Sequence, residues 1–223
     1  MNENQQELIL NSIETTLLSA WEGKRKLTLE AGENLAPVLN TKEYFYFIIE
    51  GRLKISQINF DTAKEQTLYL LSRGDMLDIV TLLDGKNHDY VGVVLERCEF
   101  IEIPIDQVRQ LLDSDAAFKQ LFFPYLAKQL RSMEDLAVDL SLHTVYQRLI
   151  KLFSRFLDQD ANKAELRLIN DLSHEELASM VGSVRKVVNR SLQELKKEGI
   201  IDISRKHLQL SDLQKLLDKL QND

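Results

Sequence analysis

The fold is decided by residues 172–201, which read LSHEELASMVGSVRKVVNRSLQELKKEGII. Ser173 is a good N-cap residue, and Glu176 stands where a capping box needs an acidic or amide side chain. Such a pair satisfies two backbone N–H groups at the start of a helix. The pattern therefore predicts a short helix over about residues 174–180.

A second helix follows after a tight turn. Gly182 supplies the turn, Ser183 can cap the new helix, and Gly199 suits its C-terminal end. Its inner face is expected to carry four apolar residues at helical spacing: Val184, Val188, Leu192 and Leu195. Two helices joined in this way predict a helix-turn-helix. Residues 200–203 and 208–210, separated by the polar turn 204–207, predict a hairpin wing beyond it.

The second helix is basic on the side that faces away from its apolar residues. Between residues 183 and 197 there are five Lys and Arg against one acidic residue, Glu194. Arg can bind guanine bidentately, Asn can bind adenine, and an exposed Val can contact a thymine methyl group. We therefore predict that the side chains reading DNA bases are Arg185, Lys186, Val187, Asn189 and Arg190.

Other polar residues at the helix starts and the wing tip are suited to holding phosphates. The predicted phosphate contacts are Ser173, His174, Ser183, Arg205 and Lys206. Lys196 and Lys197 lie further along the helix, where a solvated face is the better interpretation.

The distribution of charge agrees with a basic C-terminal region on an acidic protein. The net charge of the 223-residue chain is −7. Residues 172–223, however, contain nine Lys and Arg against eight Asp and Glu. The excess acidity therefore belongs to the front part, and the net charge alone does not argue against DNA binding.

The front part is rich in turns and short strands. Six of the eight glycines fall within the first 92 residues. The β-branched and aromatic runs between them predict strands at 44–49, 53–60, 66–71, 91–95 and 99–103. Their spacing favours a β-sandwich or a β-barrel-like roll, preceded by an amphipathic helix over about residues 5–21.

A long helix is predicted over residues 125–157, which contain neither Gly nor Pro. Its first half carries apolar residues at alternating spacings of four and three, which is typical of a two-stranded coiled coil. The predicted dimer interface is Leu126, Leu130, Met133, Ala137 and Leu140. The alternative is a helix buried against its own β-roll. Residues 158–163 are polar and predict a linker.

Several classes of protein are excluded by composition. The chain has no apolar run long enough to span a membrane, and its polar N-terminus lacks the basic flank of a signal peptide, so we expect a cytoplasmic protein without membrane partners. Cys98 is the single cysteine, which rules out an internal disulfide and thiol-rich metal clusters. We predict no cofactor and no metal site.

Taken together, residues 172–201 resemble the winged helix of the CRP/FNR family of bacterial transcription regulators. Residues 46–54 (YFIIEGRLK) and 71–75 (LSRGD) resemble that family's cyclic-nucleotide-binding-like β-roll, and residues 133–153 resemble its dimer helix. The resemblance implies an α+β fold. Its parts are an N-terminal β-roll, cupin-like and with flanking helices, a long dimerisation helix, and a C-terminal winged helix-turn-helix. The expected domains are 1–123 for sensing, 124–158 for dimerisation and 159–223 for DNA binding.

The resemblance further implies a homodimer that binds palindromic double-stranded DNA and regulates transcription, with RNA polymerase as a protein partner. Family recognition helices commonly carry two arginines at the spacing of Arg185 and Arg190. Lys186 stands where many members have an acidic residue, so the base preference cannot be transferred directly.

The effector site departs from the nucleotide-binding members. Those members carry a Gly-Glu pair and then an Arg-Ser or Arg-Thr pair, and the Arg neutralises the cyclic phosphate. Here the corresponding residues are Asp78, Ile79, Asp89 and Tyr90. Because Asp89 would repel a phosphate, we predict that the protein is not gated by cyclic AMP. An unidentified small-molecule effector stays open.

Three alternatives accompany this interpretation. His88 and His143 could in principle ligate haem, although exposed histidines are far commoner. Cys98 is either a small buried hydrophobe, which is the default, or a redox-sensing thiol. Finally, the chain could be a ligand-binding or protein-interaction module without direct DNA reading. An enzyme is disfavoured, since no catalytic motif stands out.

Overall fold

The computed structural model describes residues 25–158, 165–204 and 207–221. The predicted helix over residues 5–21, most of the predicted linker, and the wing residues Arg205 and Lys206 lie outside this part of the chain. No helix within the described ranges is both long enough and apolar enough to cross a membrane.

The chain divides into two compact units. One contains residues 1–57 and 69–132, and the other contains residues 58–68 and 133–223. The three-domain division at residues 123 and 158 stays a prediction.

The N-terminal part of the chain forms a five-stranded sheet, most of which belongs to the first unit. The strands are β1 (Arg25–Leu29), β2 (Tyr44–Asn59), β3 (Lys64–Ser72), β4 (Met76–Leu77) and β5 (Val91–Pro104). Their order is β1-β5-β2-β3, with β4 paired to β2. The pairs β1–β5, β2–β4 and β2–β5 are antiparallel. The β-roll predicted from the spacing of turns and apolar runs is therefore present.

The five predicted runs form three longer strands, β2, β3 and β5, and the strands β1 and β4 were not predicted. The runs 44–49 and 53–60 form one strand, β2, and the runs 91–95 and 99–103 form one strand, β5. Gly51 does not end β2 but bulges it, with φ 94° and register shifts on both sides. A Cβ at this position would lie 2.2 Å from the carbonyl oxygen of Arg97, so only glycine fits without a backbone shift.

Both faces of β2 are buried. Phe45 and Phe47 pack on one side with the helices α1 (Ile79–Asp84) and α2 (Ile105–Ser114). Tyr46 and Ile48 point to the other side, into the interior of the roll. Successive side chains of a strand alternate between its faces, so the unbroken apolar run 44–49 is typical of a strand covered on both sides.

The predicted long helix is two helices. The first, α3 (Ala116–Leu142), begins before the predicted start and contains Pro124. The second, α4 (Val145–Arg155), begins after Thr144, whose Oγ1 accepts a hydrogen bond from the Gln147 N–H while the Gln147 side chain accepts one from the Thr144 N–H. This capping box starts a new helix, so the prediction of one continuous helix over 125–157 is wrong.

The second unit contains the helix-turn-helix. Besides α4, it contains the helices α5 (His174–Met180), α6 (Arg185–Lys197) and α7 (Leu213–Gln221). Its short strands are β6 (Leu157–Asp158), β7 (Glu165–Leu166), β8 (Ile201–Ser204) and β9 (His207–Leu210). The strands pair as the hairpins β6–β7 and β8–β9. The predicted first helix and hairpin wing are present, whereas α7 was not predicted, although its apolar residues follow helical spacing. The molecule thus has the predicted α+β class.

Candidate nucleic-acid interface

The turn between α5 and α6 is built as the sequence indicates. Ser173 Oγ accepts from the Glu176 N–H at 3.2 Å, and Glu176 Oε2 accepts from the Ser173 N–H at 2.7 Å, which completes the capping box. Gly182 has φ 62°, and a Cβ there would lie 2.3 Å from Leu140 Cδ2. The turn therefore requires glycine both for its backbone conformation and for space.

The inner face of α6 differs from the prediction at its first residue. Val188, Leu192 and Leu195 are fully buried, as expected, but Val184 is 59% exposed and is the N-cap residue. Ser183 does not cap α6. Its backbone N–H instead donates to the carbonyl of Ala178 at 2.9 Å, within the turn. The cap position of α6 has no side-chain hydrogen bond, because valine has no group that can supply one.

The predicted base-reading residues lie together on α6. Arg185, Lys186, Val187 and Arg190 are exposed, and Asn189 is half-buried. They occupy the N-terminal half of the helix, away from its buried apolar face. The arrangement places two guanidinium groups, an ammonium group, an amide and an apolar side chain on one surface.

Asn189 is held by a residue predicted for a different role. The Nδ1 atom of His174 is hydrogen-bonded to the Oδ1 atom of Asn189. With the Asn189 amide in this orientation, Nδ1 is the donor, because an amide oxygen can only accept. The side chain of His174, predicted to contact phosphate, is therefore directed at the neighbouring helix. Ser173, by contrast, is exposed, although its Oγ already serves the capping box.

Lys196 is not available to DNA as a free charge. Its Nζ lies 2.8 Å from Asp202 Oδ1 and donates to the carbonyl of Ile203 at 3.3 Å, so it fastens the wing strand β8 to α6. The hydrogen bond from Lys196 is the main cause that lowers the pKa of Asp202, and the Ile203 N–H adds to it.

A second cluster fixes the C-terminal end of α6. Tyr146 Oη donates to Glu198 Oε2 at 2.7 Å, and Lys219 Nζ lies 2.9 Å from the same oxygen. The Lys219 hydrogen bond lowers the pKa of Glu198, while burial and then the Glu198 hydrogen bond raise the pKa of Tyr146 to about 12. This cluster joins α4, α6 and α7 and had no signal in the local sequence, because its members are far apart along the chain.

The predicted dimer residues of α3 do not share one environment. Leu130 is 59% exposed, Ala137 and Leu140 are also exposed, and Met133 is half-buried. Leu126 instead packs against the core beside α1 and α2 within the first unit. Leu126 alone of these residues thus packs against its own domain core, and the dimer interface stays a prediction. Phe123, which is 54% exposed, was not predicted.

The candidate effector site in the first unit is a cavity of about 30 Å³. Asp78, Ile79 and Tyr90 line it, together with His88. Asp89 does not line it, because its side chain is exposed and its Oδ1 accepts from Asn87 Nδ2 at 3.0 Å. The negative charge at the cavity is therefore Asp78, and the prediction that Asp89 faces an anion there is wrong.

The structure also describes the surroundings of three further candidate residues, Cys98, His88 and His143. Cys98 is fully buried, and burial raises the pKa of its thiol to about 11. A thiol held protonated at neutral pH is a poor nucleophile, which favours the structural interpretation. His88 and His143 each lie beside a carboxylate, Asp78 and Asp139 respectively. Across the described ranges, no three His, Cys, Asp or Glu residues are grouped to hold a metal.

Comparison with known proteins supports both units. A model of the cyclic nucleotide-binding domain matches residues 26–115, and a model of the Crp-like helix-turn-helix domain matches residues 147–219. The chain is similar to the global nitrogen regulator of Synechocystis sp., with 27% identity over 171 residues, which cover 74% of this chain and 75% of the relative.

It is also similar to the CRP-like cAMP-activated global transcriptional regulator of Mycobacterium tuberculosis, with 26% identity over 175 residues and 77% of each chain covered. Among solved structures, a c-di-GMP responsive global regulator of Xanthomonas campestris superposes with a TM-score of 0.70 at 18% identity, which shows the shared fold. That match covers 91% of this chain and 99% of the other.

The two domain matches occur in the order expected from the resemblance of the sequence, and the fold agrees with them. Regulators of this family bind DNA and effector ligands and are not enzymes. The chain belongs to the CRP/FNR family of DNA-binding transcription regulators.

Proposed function

We propose that this regulator is a homodimer that reads a palindromic site in double-stranded DNA through α6, without gating by cyclic AMP. The observation that carries the DNA-reading part is the exposed surface of α6. Arg185, Lys186 and Arg190 present three positive charges beside Val187 and Asn189. Five donors in a rigid fork let each Arg bind guanine bidentately, which gives both affinity and base preference.

Asn189 has a narrower role than the sequence alone suggests. Its Oδ1 accepts a hydrogen bond from His174, which fixes the amide and directs the NH₂ group away from that contact. An amide held in this way acts chiefly as a donor, and purine N7, guanine O6 and thymine O4 are the acceptors in the major groove. His174 is then a positioning residue for Asn189 rather than a phosphate contact. Ser173, Ser183, Arg205 and Lys206 remain the proposed phosphate contacts.

The proposed dimer uses the exposed apolar residues of α3. Phe123, Leu130 and Ala137 follow one another at heptad spacing and face outward along the helix. Pairing such stripes removes apolar side chains from water at about 25 cal/mol per Å². A two-fold dimer would present its two α6 helices to half-sites about one helical turn apart. We expect RNA polymerase as a protein partner of the bound dimer.

In the described part of the chain, the cavity offers no cation for a cyclic phosphate. Its described lining residues include no Lys or Arg, and Asp78 instead brings a carboxylate next to it. The relatives carry names that imply different signals, namely nitrogen, cyclic AMP and c-di-GMP. Family membership therefore does not select one effector.

The test is selection of bound duplexes from a random pool, followed by titration of the selected site and its single-base variants. We expect a palindromic site, and we expect Arg185→Ala or Arg190→Ala to remove about 1–3 kcal/mol per half-site and to relax preference at one symmetric pair of positions. Lys197→Ala, an exposed change at the other end of α6, is the matched control. Selection without any enriched sequence would contradict the proposal.

A further inference from the structure

Val184 is an exposed apolar residue at the start of α6. It is the N-cap of this helix and is 59% exposed. Valine is a poor N-cap residue, because its side chain has no oxygen to accept from the N–H groups of the first turn. Val184 therefore contributes its side chain neither to the core nor to the cap of the helix.

The backbone holds Val184 in a fixed position. Its carbonyl accepts hydrogen bonds from the N–H groups of Val187 at 3.0 Å and of Val188 at 3.1 Å. Val188 is fully buried, so this first turn is anchored in the core of the second unit. A β-branched side chain also has few rotamers. Val184 thus presents its methyl groups to solvent with little conformational freedom left to lose on binding.

A second exposed valine lies one helical turn away. Val187 is 41% exposed, and residues three apart are neighbours on a helix surface. Arg185 and Lys186, which are both exposed, lie between the two valines in the sequence. In a helix-turn-helix, the N-terminal residues of the second helix are those that contact base edges. The two valines therefore form an apolar pair among basic residues, at the end of α6 that this geometry directs to the bases.

We propose that Val184 contacts the C5-methyl group of a thymine, and that Val184 and Val187 each select one thymine in every half-site. The thymine methyl is the apolar group that the base edges present in the major groove. A phosphate oxygen or a polar base edge gains nothing from contact with a valine, because neither can form a hydrogen bond with it. The inference rests on the proposed reading of DNA by α6, and it adds a further residue and its base.

The experiment replaces thymines of the selected palindromic duplex by deoxyuridine, one symmetric pair at a time. Deoxyuridine lacks only the C5-methyl group, so every hydrogen-bonding group of the base is retained. Affinity of the full-length protein is measured by fluorescence anisotropy. Burial of one methyl group corresponds to about a factor of four in affinity. We expect two pairs of positions at which affinity falls by about this factor per half-site, and no such loss at the other thymines.

Val184→Ser is the decisive variant. Serine is a favoured N-cap residue, so Tm in thermal unfolding should stay the same or rise. The loss caused by deoxyuridine should disappear at one pair of positions and persist at the other, whereas Val187→Ala should give the reverse. If Val184 had only a structural role, Val184→Ser would weaken the thymine and deoxyuridine duplexes by the same factor. Val38→Ala changes an exposed valine of the first unit and is the matched control, which should keep both losses.

A measurement on the unchanged protein covers the case in which Val184→Ser does not fold. In a complex with valine-methyl-labelled protein, the Val184 methyl groups should show nuclear Overhauser effects to one thymine methyl group. The inference would be overturned by the absence of this effect, by a selected site without a deoxyuridine-sensitive thymine, or by a Val184→Ser protein that keeps both losses. The proposed function would still stand in these cases if preference for the selected site depends on Arg185. Selection without any enriched sequence would overturn both.

Discussion

Replacing His174 by Ala should lower the affinity for the specific DNA site more than the affinity for a random duplex. The imidazole contacts Asn189 Oδ1 across the helix-turn-helix, and the pair is partly buried. A hydrogen bond of this kind contributes about 0.5–1.5 kcal/mol, so specific affinity should fall about two- to tenfold per half-site. Because the loss acts through Asn189, it should largely disappear in an Asn189→Ala background.

The assay is fluorescence anisotropy with the selected site and a random duplex at several salt concentrations. If His174 bound a phosphate instead, its removal would weaken specific and random duplexes alike, and the salt slope would fall by about 0.9 for each phosphate that the protein no longer neutralises. Glu175→Ala changes an exposed neighbour on α5 and is the matched control. Strictly additive effects of the His174 and Asn189 changes, with a reduced salt slope, would refute the positioning role.

Three further predictions test the dimer, the turn between α5 and α6, and the cluster of Tyr146, Glu198 and Lys219 at the C-terminal end of α6. Leu130→Glu should give a monomer in sedimentation equilibrium with the fold retained, whereas Leu126→Glu should lower the stability of the β-roll, because only Leu126 is packed in the core. Gly182→Ala should lower the free energy of unfolding by more than Gly32→Ala in denaturant titrations. Both glycines have positive φ, worth about 1–3 kcal/mol of strain, but a Cβ meets close atoms only at Gly182. Glu198 has a lowered pKa in the folded protein, so the stability it contributes is present above its usual pKa of 4.5 and disappears as the pH falls through the folded value. Chemical denaturation across this range should show a steeper decrease in stability for the natural protein than for Glu198→Gln, and equal slopes would contradict the assignment.

The helix-turn-helix could be predicted from the sequence because its determinants are local. The capping box of Ser173 and Glu176, the glycine at 182 and the apolar spacing of α6 all act within a few residues of where they stand. At Gly51 a local signal gave a wrong prediction, namely two strands instead of one. A glycine that causes a bulge cannot be told in sequence from a glycine that ends a strand.

Features that depend on which way a side chain points were not predictable. The sequence places Asp78 and Asp89 equally near the effector site, and only the fold shows that one is buried at the cavity and the other is exposed. The spacing of apolar residues on α3 likewise predicts a helix–helix interface, but it does not decide which of these residues face the protein's own core. Leu126 faces that core, and Phe123 is exposed.

The two ends of α6 differ in the contacts that their side chains make. In the described part of the chain, the ion pairs of α6 lie at its C-terminal end. Lys196 pairs with Asp202, and Glu198, the C-cap residue of α6, pairs with Lys219. The N-terminal half carries exposed basic residues and a cap position without a side-chain bond. Unsatisfied N–H groups and the positive end of the helix dipole favour an anion at that end. These ion pairs do not involve Arg185 or Arg190, so both guanidinium groups stay exposed, as the proposed reading of DNA requires, on a protein whose total charge is −7.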